Sequence, residues 1–198
     1  FIHAEAIEGD ILNDDDLCAF IRIGSDYKEN FYEYEIPLKL TEPGYYLAET
    51  DAETVWPVEN MVDIDFEEFQ SVKQIRNDSI REGSSIQLTQ LYSQTDPNTG
   101  RRISIIGSPK LSNIRTIMIG VRNRKRSNNI LEDDGLPKSV EVWMNELRLS
   151  GFNESGGWAT RGRIQTNFAD FSSIALSGEY STPGFGSIEK QVNERQQS

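Results

Sequence analysis

Residues 158–180 alternate polar and apolar side chains with a period of two, in two runs of about ten residues each. In 158–168, Trp158, Thr160, Gly162, Ile164, Thr166 and Phe168 share one parity, and Arg161, Arg163, Gln165 and Asn167 share the other. In 171–180, Ile174, Leu176 and Tyr180 oppose Ser173, Ala175, Ser177 and Glu179, and Ala169-Asp170 joins the runs. A period of two fits strands, whose successive side chains point to opposite faces, and not helix. An isolated hairpin is marginal in water, so these strands require neighbours. Their length and terminal aromatics match strands of an outer-membrane barrel, with a lipid-facing apolar side, a polar lumen side and interfacial girdles. An exposed hairpin of a soluble sheet shows the same alternation.

Upstream, 139–158 (SVEVWMNELRLSGFNESGGW) is the most strand-like run of the chain. Val140, Val142 and Met144 are even, whereas Leu147 and Leu149 are odd, so a bulge or bend is expected near Asn145 and Glu146. This stretch reads as the closing strand of a sandwich that hands the chain on to the hairpin.

Further strands are expected at 1–7, 17–24, 30–40, 86–92, 101–107 and 113–121. In 30–40, Tyr32, Tyr34, Ile36, Leu38 and Leu40 share one face and Glu33, Glu35 and Lys39 the other. Pro37 removes a ladder donor, which predicts an edge strand or bulge there. One helix is expected over 65–77, with Asp65 at the N-cap and Glu68 at N3. Phe66, Phe69, Val72, Lys73 and Arg76 recur at helical spacing behind them. The fold class is therefore mainly all-β: an antiparallel two-sheet sandwich, jelly-roll-like, with one short helix across its mouth or edge. The domains are 1–152 as the sandwich, 153–181 as a barrel-type hairpin and 182–198 as a polar loop. With no initiating Met and no signal-peptide pattern, the chain reads as an excerpt of a longer one.

Charge is unevenly spread. Residues 1–100 hold 22 acids against 6 bases, and 101–198 hold 10 against 14, giving the overall −12. An acidic first half disfavours nucleic acid, whose binding rests on phosphate neutralisation. The dense basic run 122–126 (RNRKR) reads as a solvated turn, as does the acidic loop Glu132-Asp133-Asp134-Gly135. Asp14, Asp15 and Asp16 are oxygen ligands of the kind calcium takes, although consecutive acids on one loop ordinarily just face solvent.

Cys18 is the only cysteine and His3 the only histidine, so no intramolecular disulfide, cysteine zinc site, Ser/His/Asp triad or Cys/His dyad is assembled. Cys18 reads as a small buried residue and His3 as incidental. Acids are too abundant for a glycosidase pair to be read from spacing. No catalytic, cofactor-binding or metal residues are assigned, and no enzyme activity is expected. Tyr45, Tyr46, Trp56 and Trp143 are expected in core or rim packing, and a carbohydrate-binding module is the alternative if they share an exposed sheet face.

The motifs at 142–149 (VWMNELRL), 156–162 (GGWATRG) and 184–195 (GFGSIEKQVNER) closely resemble the SprA (Sov) family, the giant outer-membrane translocons of the type nine secretion system. The likeness extends more weakly through NFYEYEIPL, VWPVEN with the helix after it, and IIGSPKLSNIRTIMIGVRN, covering roughly 27–195. The resemblance implies a segment of a single-chain barrel that exports folded cargo and serves gliding motility in Bacteroidetes. It implies partners too: the rest of the barrel, a porin-like protein, a plug protein, secreted cargo, and outer-membrane lipid for the hairpin. Nearly all barrel strands lie outside this sequence, so transport is not expected of the segment alone. Short barrel turns are ordinarily periplasmic and long excursions extracellular, which places Ala169-Asp170 in the periplasm and the sandwich outside.

Overall fold

The computed structural model describes residues 1–7, 12–47, 49–123, 136–150 and 157–182. The chain divides into two units, Phe1–Glu146 and Leu147–Ser198, so the break falls ahead of Phe152.

In the first unit, strands β1 (Ile2–Ala6), β2 (Leu17–Gly24) and β3 (Phe31–Pro37) precede a short helix α1 (Ala52–Val55) and the long helix α2 (Phe66–Arg81). Strands β4 (Tyr92–Thr95), β5 (Arg102–Ile106), β6 (Thr116–Asn123) and β7 (Val140–Met144) follow. The unit is mainly β and antiparallel. Five strands pair in the order β4-β5-β3-β2-β6, and β1 pairs with β7 as a second sheet. Ile2 lies opposite Met144 and Ala6 opposite Val140, so the strand that ends the unit closes it against the strand that begins it.

Sequence parity sets which face is covered. Ala19, Ile21 and Ile23 of β2 share one buried cluster with Tyr32, Tyr34 and Ile36 of β3 and Ile105 of β5. Ile2 and Ala4 of β1 enter the same cluster, with Val140 and Val142 packed against it, so both sheets contribute to one core. Helix α2 adds Phe69 and Val72, and the Phe69 ring stacks on Tyr32 at 5.0 Å between centroids. Asp65 caps this helix by accepting from the Glu67 N–H at 2.9 Å, satisfying one of the free donors of its first turn.

Several boundaries differ from expectation. Helix α2 continues past Asn77 to Arg81 and packs on β5 and the edge strand β4, adding its apolar side to the core. The strand expected at 86–92 starts only at Tyr92. Its register is fixed by the Asp96–Gly100 turn, where Asp96 accepts from the Asn98 N–H and the Thr99 hydroxyl. Pro37 sits on an interior strand, flanked by β2 and β5, and is tolerated as its last residue rather than at an edge or bulge. The last-but-one strand runs over Thr116–Asn123 after a single 3₁₀ turn at Leu111–Asn113. Strand β7 stops at Met144, and Glu146 takes a left-handed φ of 53°, the bend anticipated from the parity switch.

In the second unit the described residues include the hairpin of β8 (Ala159–Phe168) and β9 (Ser172–Ser181).

Candidate functional site: an uncovered amphipathic hairpin

The register of β8 and β9 assembles the two parities into two faces. Ile164 pairs with Leu176, Thr166 with Ile174 and Thr160 with Tyr180 on the apolar face. Arg161 pairs with Glu179, Arg163 with Ser177 and Asn167 with Ser173 on the polar one. Trp158 reaches Tyr180, ring to ring at 5.3 Å, and the Thr182 hydroxyl accepts from the Trp158 N–H at 2.7 Å. At the other end Phe168 and Phe171 flank the turn, where Ala169 takes φ 40° and Phe171 N–H returns to the Phe168 carbonyl at 2.9 Å.

Among the described residues, neither face is covered. Trp158, Ile164, Leu176 and Tyr180 keep 58, 68, 66 and 57 % of their surface exposed, and every residue of both strands is exposed. Among the described residues, β8 and β9 pair only with each other, so each offers an outer edge of backbone donors and acceptors. A patch of aliphatic and aromatic side chains this continuous marks an interaction or membrane surface, because water alone does not stabilise it. Among the described residues no helix is long and apolar enough to cross a membrane, which leaves strand crossing untouched.

A second arrangement escaped the sequence reading. Glu33 and Glu35, on the polar parity of β3, are 2 and 0 % exposed. Glu33 accepts from Arg22 Nε and Nη2 at 2.9 and 2.6 Å and from Arg122 Nη1 and Nη2 at 2.9 and 3.0 Å. Glu35 pairs with Arg102 Nη2 at 2.8 Å and with Arg122 Nη1. Two aromatic rings complete this face: Arg22 lies 3.9 Å over Phe31 and Arg122 4.5 Å over Phe20. Burial pushes the Glu33 carboxyl up, but the hydrogen bonds and charges of Arg122 and Arg22 outweigh it and hold the group below its ordinary value. Arg122 is raised by its bonds to Glu33. Thus Arg122 belongs to a strand and a charge network rather than to a solvated turn; 124–126 and 132–135 lie outside the described residues.

The remaining sequence candidates take structural places. Asp14 stays exposed while its Oδ1 accepts from the Leu40 N–H, and the buried Asp16 accepts from the Asn13 N–H through Oδ2, so both carboxylates brace loops. Among the described residues no group of three His, Cys, Asp or Glu side chains is placed to hold a metal. Cys18 is buried. His3 is not incidental: its Nδ1 lies 2.8 Å from the Val55 carbonyl and 3.2 Å from the Thr41 hydroxyl, tying β1 to α1, with Trp56 packed edge-on at 5.9 Å. Tyr45 is 90 % exposed in a loop, Tyr46 folds back onto the Glu42 carbonyl, Trp56 ends α1 and Trp143 stands on β7. Of the four, only Trp143 stands on a strand, so they form no shared sheet-face platform.

A family model described as motility related/secretion protein matches the chain over residues 1–198. No curated protein matches the chain.

Proposed function

Since the chain belongs to the SprA_N family of motility related/secretion proteins, we propose that it is a non-catalytic segment of an outer-membrane protein-secretion translocon of type nine. In this reading β8 and β9 are two strands of the barrel wall, and the Phe1–Glu146 unit is a structural and interaction domain attached to that wall. The observation that carries the reading is the hairpin's uncovered apolar face, centred on Ile164 and Leu176. Strands of ten residues have the reach of a tilted membrane-crossing strand. The exposed edges of β8 and β9 are where neighbouring barrel strands pair, which removes the edges altogether.

The partners follow from that placement: the rest of the barrel, lipid against the apolar face, secreted cargo, and porin-like and plug proteins at the channel openings. Nucleic acid is not among them, given the acidic first hundred residues. The short turn at Ala169-Asp170 faces the periplasm and the Phe1–Glu146 unit the outside, following the loop-length habit of such barrels.

Deletion of 1–146 from the complete protein tests the role. Loss of secretion with the barrel still inserted supports it, and unchanged secretion of folded cargo refutes it. A cysteine at Asp134 tests the side: labelling in intact cells supports the extracellular placement, and labelling only after permeabilisation overturns it.

A further inference from the structure

Helix α2 lines a groove of about 760 Å³ with Gln70, Lys73, Gln74, Asn77 and Arg81, and the 109–112 segment forms the opposite wall. The helical residues recur at the three- and four-residue spacing that sets side chains on one face. Lys73 Nζ and the Tyr32 hydroxyl both donate to the Pro109 carbonyl, at 2.7 and 3.2 Å, joining helix, sheet and loop.

Positive charge gathers here without counter-charge. Lys73 and Lys110 line the groove, and Arg76, three residues beyond Lys73, is 0 % exposed. Arg76 Nε and Nη2 donate to Asn77 Oδ1, while its buried Nη1 has no hydrogen-bond partner. Among the described residues no carboxylate pairs with Lys73, Arg76 or Lys110. The groove's one acid, Asp78, is paired with Arg81 at 3.1 Å. A buried guanidinium ordinarily has an anion beside it, because its desolvation is otherwise uncompensated. Of the partly buried arginines in this unit, Arg22, Arg102 and Arg122 have carboxylates, and Arg101 bonds the Tyr34 hydroxyl and the Met61 carbonyl. Arg76 stands in a half-chain with 22 acids to choose from. Burial, then the charges of Arg76 and Lys110, pushes Lys73 below the ordinary lysine value, so an arriving anion relieves an existing repulsion.

We propose that this groove binds a phosphate-type anion, with Lys73 and Lys110 as its direct contacts and Arg76 as fixed positive charge. Three uncompensated cations match a dianion better than a single carboxylate. The groove is larger than a bare ion, leaving room for whatever bears the phosphate, and the same chemistry serves a soluble phosphate or a phosphorylated lipid headgroup.

The test is a titration of the 198-residue chain in neutral detergent with inorganic phosphate, against chloride at matched ionic strength. The readouts are the melting temperature and the side-chain resonances of Lys73 and Lys110. A parallel arm measures binding to phosphatidylcholine vesicles with and without phosphatidic acid. Saturable phosphate effects that Lys110→Glu removes and that Lys73→Met weakens about tenfold or more support the site and a soluble ligand. A response to phosphatidic acid alone that Lys110→Glu removes supports it with a lipid source. Lys110 is exposed, so its variant keeps the fold even if Arg76→Met does not. No difference from chloride with no phosphatidic acid dependence, or effects equal in the Lys110→Glu variant, overturn the proposal.

Discussion

Glu33 and Arg122 stand 89 positions apart and meet across a strand that belongs to neither: Arg122 on β6 reaches over β2 to hold both carboxylate oxygens of Glu33 on β3. The crossing is stabilised underneath by the Phe20 ring of the intervening strand. It clamps three strands of the five-stranded sheet from the face opposite the core.

Removing one partner of such a buried pair leaves the others uncompensated. Glu33→Gln is therefore expected to lower stability at neutral pH by about 3 kcal/mol. The group's folded pKa lies below its ordinary 4.5. Its contribution is thus present above 4.5 and lost as the pH falls through the lower folded value. Urea denaturation from neutral pH downward checks both points. The wild type should lose more stability on acidification than the variant, and parallel pH profiles would contradict this account.

Gly120 faces Phe20 across β2 and β6. A Cβ there would sit 2.8 Å from Phe20 Cζ, so the ring that supports Arg122 would have to move. Gly120→Ala is expected to cost about 1–3 kcal/mol with an unchanged denaturant slope. A neutral result would mean that the ring shifts freely.

On the hairpin, parity should decide the effect of charge. Ile164→Arg, on the apolar face, is expected to destabilise the inserted protein by about 2–4 kcal/mol and to deplete it from the outer membrane. Gln165→Arg, one residue away on the polar face, should leave its abundance unchanged. Quantitative blotting of membrane fractions checks the pair, and equal losses would argue against an oriented wall.

What could be read from the letters divides by range. The hairpin, β2 and the Asp65 cap were legible because their causes are local: a period of two, a run apolar on both faces apart from Arg22, an acid ahead of a helical stripe. The helix stripe even placed Arg76 on the covered side, where it is buried. The burial of Glu33 and Glu35 was not legible, because alternation gives a residue's face and not what covers that face. Their burial depends on arginines supplied by three other strands, which no local pattern announces. His3 looked incidental for the same reason, since its partners Thr41 and Val55 lie 38 and 52 positions away. The strand expected at 86–92 shifted because pairing with β5, set by the Asp96 turn, outranks the apolar letters of Ile86 and Leu88.

The central claim is that the even-numbered face of β8 and β9 stands against lipid. Nitroxide labels at Ile164→Cys and Gln165→Cys, in the complete protein within its outer membrane and with the buried Cys18 replaced by serine, test it directly. Collision with dissolved oxygen should dominate at 164 and collision with a water-soluble nickel chelate at 165. Equal access of the nickel chelate to both positions would contradict the claim.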